Sequence, residues 1–139
     1  MHKTILITGA TGQIGNPLSR LLSISGHEVT CWTRRPAAVG GRISARCHIA
    51  GWNPEAIESN TLAGFDTIIH LAGENIAGKR WSESRKKDLV DSRIETTRAL
   101  VKAIAEVPEE QRPRNLINAS AIGFYGDRGE ETLAETAAA

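Results

Sequence analysis

Short apolar runs alternate along the chain with longer stretches whose apolar residues recur at helical spacing. That alternation predicts a parallel sheet with helices on both faces. Residues 3–8 form a β-branched run that stops at Gly9, the first strand. From Gln13 to Ser25 the apolar positions Ile14, Leu18, Leu21 and Leu22 predict a helix. Pro17 is tolerated in its first turn, and Gly26 closes it as a left-handed cap. Residues 28–33 read as the second strand and 46–49 as a short third one. A turn at Trp52-Asn53-Pro54 leads into a short helix over 54–59. Residues 66–71 are the fourth strand. Ser82 is a good N-cap for a helix running to Glu106, with Leu89, Ile94, Leu100, Val101 and Ile104 as its apolar stripe. Residues 115–119 are the fifth strand. Right-handed crossovers put these strands in the order 3-2-1-4-5, a Rossmann-type doubly wound α/β sheet that stops before a sixth strand.

A length of 139 residues suits one domain, here residues 1–139 as a nucleotide-binding unit. A net charge of +1 points to neither a nucleic-acid nor a membrane partner. Aromatics make up 4%, too few for a base-stacking platform. Cys31 and Cys47 have no ligand spacing and suggest no disulfide framework. His2, His27, His48 and His70 are scattered without metal-ligand spacing. No apolar run approaches a membrane span or a signal segment, so the expectation is a soluble, cytoplasmic protein.

The strongest motif is Thr8-Gly9-Ala10-Thr11-Gly12-Gln13-Ile14-Gly15, between the first strand and the first helix. In that context the three glycines have separate tasks. Gly9 permits a tight turn, Gly12 lets backbone approach a pyrophosphate, and Gly15 allows the helix to pack closely. The helix N-terminus offers free N–H groups and the positive end of its dipole to phosphates. The end of the second strand then chooses the cofactor. A carboxylate there would bind the ribose 2′-hydroxyl of NAD(H). This chain has Thr33-Arg34-Arg35 instead, and a guanidinium matches a 2′-phosphate in charge and shape. NADP(H) is therefore expected over NAD(H).

The glycine loop resembles that of the extended and atypical short-chain dehydrogenases/reductases. Four further segments are similar to one atypical branch, described as NAD(P)-dependent or nucleoside-diphosphate-sugar epimerases. They are Trp52-Asn53-Pro54, His70-Leu71-Ala72-Gly73-Glu74-Asn75-Ile76, Lys79-Arg80-Trp81 with Asp91-Ser92-Arg93-Ile94, and Ser120-Ala121-Ile122-Gly123-Phe124-Tyr125-Gly126-Asp127. The resemblance covers the N-terminal half of such proteins. It implies that Leu71, Ala72 and Gly73 lie beside the adenosine ribose and that Ser120 hydrogen-bonds a substrate oxygen. It also implies a small-molecule substrate such as a sugar nucleotide. Three residues separate Ala121 from Tyr125, one more than is usual among sugar-nucleotide epimerases.

Those enzymes use a Tyr with a Lys four residues later, both on one helical face. Here Tyr125 is followed at that distance by Gly129, and no lysine follows Lys102. Either the catalytic segment lies outside these residues or the branch holds its cofactor as a non-catalytic sensor. Other positions keep two readings. Glu74 is a polar contact in the pocket or a loop carboxylate. Arg93 faces the pocket or pairs with Asp91 or Glu95. Lys79, Arg80, Arg85, Lys86 and Lys87 form an anion site or, in the favoured reading, a solvated face diluted by Glu83, Asp88 and Asp91. His70 is expected to pack beside the sheet, and Trp32, Trp52 and Trp81 in the core or at its rim. With strands four and five at an exposed edge, a homodimer is a further expectation.

Overall fold

Alternation along the first strand decides the layering. In β1 (Thr4–Thr8), Ile5 and Ile7 enter one core cluster and Leu6 the other, and all three are buried. The computed structural model describes residues 2–76, 78 and 80–138, so Lys79 of the basic cluster lies outside the described residues. The remaining strands are β2 (Glu28–Thr33), β3 (His48–Gly51), β4 (Thr67–His70) and β5 (Asn115–Asn118). All pairings are parallel, in the order β3-β2-β1-β4-β5. This is the doubly wound order expected from the sequence.

Two helices cover the two faces. Leu18 and Leu22 of α1 (Gly15–Ile24) pack on Ile5, Ile7, Val29, Cys31 and Ile69. Leu100 and Ala103 of α2 (Glu83–Ala105) pack with Leu6, Trp32, Leu62 and Ile68. Each large apolar side chain so buried contributes about 1.5–3 kcal/mol. Cys31 and Cys47 are buried free thiols in the α1-side cluster. Burial, reinforced by Cys47 beside it, pushes the Cys31 thiol up to about 12. Among the described residues no helix is long and apolar enough to cross a membrane.

Several elements differ from their sequence-based expectations. The first helix starts at Gly15, because Gln13 and Ile14 still belong to the turn. Its inward face is Leu18, Ser19, Leu22 and Ser23, while Ile14 and Leu21 are exposed. The third strand starts at His48 and ends at Gly51, two residues later than expected at either end. A turn closed by Cys47 N–H on the Ser44 carbonyl (3.0 Å) occupies the earlier positions. No helix forms over 54–59. Asn53 instead accepts from Glu55 N–H with its side chain (3.0 Å) and from Ala56 N–H with its carbonyl (3.2 Å), a local turn that competes with helix. A 3-10 turn follows at Ser59–Leu62. On α2, Ile94 and Val101 are exposed, since the buried line runs through Leu89, Leu100 and Ala103. Strand four is not at an edge: β4 lies between β1 and β5, and Ile68 is fully buried. β5 is an edge strand, as β3 is at the other side, and all four β5 residues are exposed.

The entry ends of β1 and β4 are clamped by Asp66. Its carboxylate accepts from Thr4 N–H (2.9 Å), the Thr4 hydroxyl (3.0 Å) and Lys3 Nζ (3.2 Å). The Thr4 backbone bond, aided by Lys3, lowers its pKa from 3.8 to about 2. The folded state therefore favours the ionised form. The resulting stabilisation is complete above the unfolded pKa and disappears as pH falls through the folded one. Acid titration of thermal stability should show Asp66→Asn destabilised at pH 6, with the gap to wild type closing as pH falls from about 4 to about 2.

Candidate cofactor site

The turn from β1 into α1 is built by backbone contact. Gly9 has φ +70°, and a Cβ there would lie 2.6 Å from the Leu71 carbonyl carbon and 2.8 Å from Ala72 N. The end of β4 thus presses directly on the turn. A Cβ on Gly15 would collide with the Gly9 carbonyl oxygen and meet Ala10 Cα at 2.7 Å. Gly15 therefore lets the helix start fold onto its own turn, more than onto the strand. At Gly12 the only near atom among the described residues is the Gly9 carbonyl oxygen, at 3.2 Å, so its other side is open. The N–H groups of Gln13 and Ile14 have no acceptor among the described residues, and the first turn holds no acid. The positive end of α1 is left for an external anion.

Beside this turn is a cavity of about 190 Å³. Gly9, Thr11 and Gly12 form its floor, and Trp32, Thr33 and Arg34 come from the end of β2. Leu71, Ala72, Gly73 and Glu74 follow β4, Trp52 and Pro54 follow β3, and Ser92 and Thr96 reach in from α2. Small residues and bare backbone line the side where Gly9 meets Leu71 and Ala72. That is the cradle an adenosine diphosphate needs, at the carboxyl edge of the sheet where its topology reverses. The residues present fit a dinucleotide.

Most of the expected positions converge here. Gln13 and Ile14 belong to the same turn and Gly15 begins α1, and none of the three lines the cavity. The Arg35 side chain does not line it either; its N–H bonds the Thr33 hydroxyl at 3.3 Å. Ser120 is exposed beyond β5 and is not brought into the cavity. Tyr125 ends a 3-10 turn after β5, packed edge-on against Phe124.

Sequence reasoning missed the supports behind the cavity. His70 is buried, not merely packed beside the sheet. Its Nδ1 is 2.7 Å from the Thr8 hydroxyl and its Nε2 is 3.4 Å from that of Thr96. Thr8 Oγ1 accepts from Ala72 N–H (3.2 Å), so its proton points to Nδ1. Thr96 donates to the Ser92 carbonyl (2.6 Å), leaving its oxygen to accept from Nε2–H. These bonds describe one neutral tautomer, and burial lowers the His70 pKa in the same sense. Trp52 stacks on Trp32 with centroids 5.5 Å apart and meets His70 edge-on at 6.4 Å. The signal for this network was present in Thr8 and His70, polar residues inside otherwise apolar strands.

The basic cluster divides. Lys86 pairs with Glu83 and Lys87 with Asp91 on the solvated face. Arg85 instead is buried, with Nη1 3.0 Å from Glu74 Oε2 and Nη2 2.5 Å from the Asn75 carbonyl. Glu74 Oε1 also lies 3.5 Å from Arg34 Nη2. The Arg85 hydrogen bond above all, with the Arg34 charge adding, holds the Glu74 carboxyl below its ordinary range. Arg93 pairs with neither Asp91 nor Glu95. It donates to the Leu89 carbonyl (2.9 Å) and the Glu74 carbonyl (3.2 Å), lying over Gly73. Because the Gly15 contact is backbone on backbone, Gly15→Ala should cost about 1–3 kcal/mol in urea denaturation. It should also displace the turn from which the cavity is built.

Comparison with known proteins follows the same lines. Residues 5–139 match the NAD dependent epimerase/dehydratase family. The human epimerase family protein SDR39U1 is 37% identical over 123 residues, 87% of this chain and 38% of that protein. Epimerase family protein Mb2239 of Mycobacterium bovis is 36% identical over 136 residues, 96% of this chain and 42% of that protein. The chain thus spans about two fifths of the length of these relatives. The crystal structure of human SDR39U1 isoform 2 with NADPH superposes with TM-score 0.66 at 32% identity, covering 88% of this chain and 38% of that one. A UDP-glucose-4-epimerase from Stenotrophomonas maltophila, solved with bound NAD and formylated UDP-arabinopyranose, superposes with TM-score 0.79 at 21% identity. It covers 99% of this chain and 42% of that one, a likeness of fold. Motif, sheet order and cavity agree with these matches: the chain belongs to the NAD dependent epimerase/dehydratase family.

Proposed function

We propose that this chain is the NADP(H)-binding portion of an epimerase or reductase of the short-chain dehydrogenase superfamily. The observation that carries the reading is Arg34, which lines the nucleotide cavity at the end of β2, a strand end that itself supplies no carboxylate. A guanidinium there pairs with a 2′-phosphate and also offsets the Glu74 carboxylate 3.5 Å away. Gly9 and Gly12 leave room for the pyrophosphate, and the free amides of Gln13 and Ile14 donate to it. Leu71, Ala72 and Gly73 give the adenosine ribose a flat wall. Arg35, exposed and one residue on, adds positive field. The NADPH in the human relative's structure supports the same choice.

When bound, the nicotinamide gives or takes a hydride. In this reading Ser120 orients a carbonyl or hydroxyl oxygen of a small substrate, with a sugar nucleotide as the proposed class. Calorimetric titration separates the cofactors. NADPH should bind about tenfold or more tighter than NADH, the value of a charge-assisted phosphate contact. The double variant Arg34→Ala plus Arg35→Ala should lose that preference and keep NADH binding. Equal binding of both nucleotides by the wild-type protein would contradict the reading.

A further inference from the structure

Glu74 occupies a place the sheet does not need it for. It lines the nucleotide cavity with Thr33 and Arg34, yet comes from the end of β4 rather than β2. Its backbone is fixed from α2. Glu74 N–H donates to the Ser92 hydroxyl at 3.1 Å, and its carbonyl accepts from Arg93 Nη2 at 3.2 Å. Its carboxylate is fixed as well, because Oε2 accepts from Arg85 at 3.0 Å. The Arg85 side chain is 7% exposed, and a buried guanidinium keeps its counter-charge close. Only Oε1 is lightly held. Its partner Arg34 is 3.5 Å away with a side chain 68% exposed, a contact of small worth that a ligand can break.

The cavity therefore holds one movable cation and one fixed carboxylate with a free oxygen. The cation suits a 2′-phosphate. The free oxygen suits a hydroxyl donor, the role that a carboxylate at the end of the second strand takes in NAD(H) sites. We propose that Glu74 sets the cofactor selectivity of this site, its Oε1 accepting the adenosine ribose 2′-hydroxyl when no 2′-phosphate is present. With a 2′-phosphate, Arg34 leaves Oε1 for the ligand. Glu74 thus admits NADH and restrains the preference for NADPH. The assignment rests on the cofactor reading given above and names the residue that tunes it.

The test pairs a protein change with a ligand change. Dissociation constants are measured for NADPH, NADH and 2′-deoxy-NADH on the wild-type protein and on Glu74→Gln, with melting curves to establish folding. In wild type, 2′-deoxy-NADH should bind about tenfold weaker than NADH, since it lacks the donor to a charged acceptor. In Glu74→Gln, NADH should weaken about tenfold and fall level with its deoxy analogue, while NADPH holds or tightens. A merely structural role for Glu74 would weaken all three ligands together, and that result overturns the assignment. So does a wild-type protein that binds NADH and 2′-deoxy-NADH equally, a result that stands even if the variant does not fold. Wild-type protein that binds no nucleotide would sink the cofactor reading itself and this assignment with it. An unchanged NADPH-to-NADH ratio in Glu74→Gln would sink the assignment alone.

Discussion

The site depends on one backbone contact, Gly9 against Leu71 and Ala72. A Cβ on Gly9 would sit within 2.8 Å of three backbone atoms, so β1 and β4 can end side by side only with glycine there. The parallel pairing Thr8↔His70 brings those ends level. Past that point the chain leaves β1 for α1 on one face of the sheet and β4 for α2 on the other. The crevice opens where the two paths part. Thr8 and His70 then bond across the pairing, and Thr96 ties the imidazole to α2. The wall of the cavity is thereby joined to both strands and to a helix, and it does not rely on loop conformation alone.

Charge is arranged on that frame by the same logic. Arg85 is buried and so needs a carboxylate; Glu74 provides it and is held in place by doing so. Arg34 extends from the other rim of the cavity to the remaining carboxylate oxygen. One contact is buried and firm, the other exposed and easily exchanged. A ligand meets a pocket whose positive charge can move and whose negative charge cannot. The helix N-terminus of α1 adds a second positive locus beneath the turn, with no acidic residue in its own first turn.

The sheet order was legible because β-branched runs, glycine stops and helical spacing all agree from residue 4 to residue 118. Strand chemistry is a local matter, and parallel crossovers have one hand. The helix faces were less so. On α2, Ile94 and Val101 are apolar yet exposed, because a 23-residue helix shows the sheet a line narrower than its apolar content. The turn at Asn53 is legible, but the helix expected after it over 54–59 does not form, because the Asn53 side chain and carbonyl hold Glu55 and Ala56 in a turn. Within the site, the glycine turn and Arg34 announced themselves by position. Arg85 did not. It sits among lysines that are solvated, and only tertiary contact with Glu74 separates it from Lys86 and Lys87. Arg93, for which the sequence left a pocket role or an ion pair, turns out to bind carbonyls and brace the segment after β4.

The central claim is that the turn from β1 into α1 and the end of β4 form one nucleotide-binding surface. Amide chemical shifts of the isotope-labelled protein during addition of NADPH test it most directly. The account predicts that Thr11, Gly12, Gln13, Ile14, Arg34 and Gly73 shift most and saturate together, while Thr30, Ala56, Ile57 and Phe65, which line a second, neighbouring cavity, stay silent. Shifts centred on that second cavity, or on β5, with the glycine turn unmoved, would contradict it.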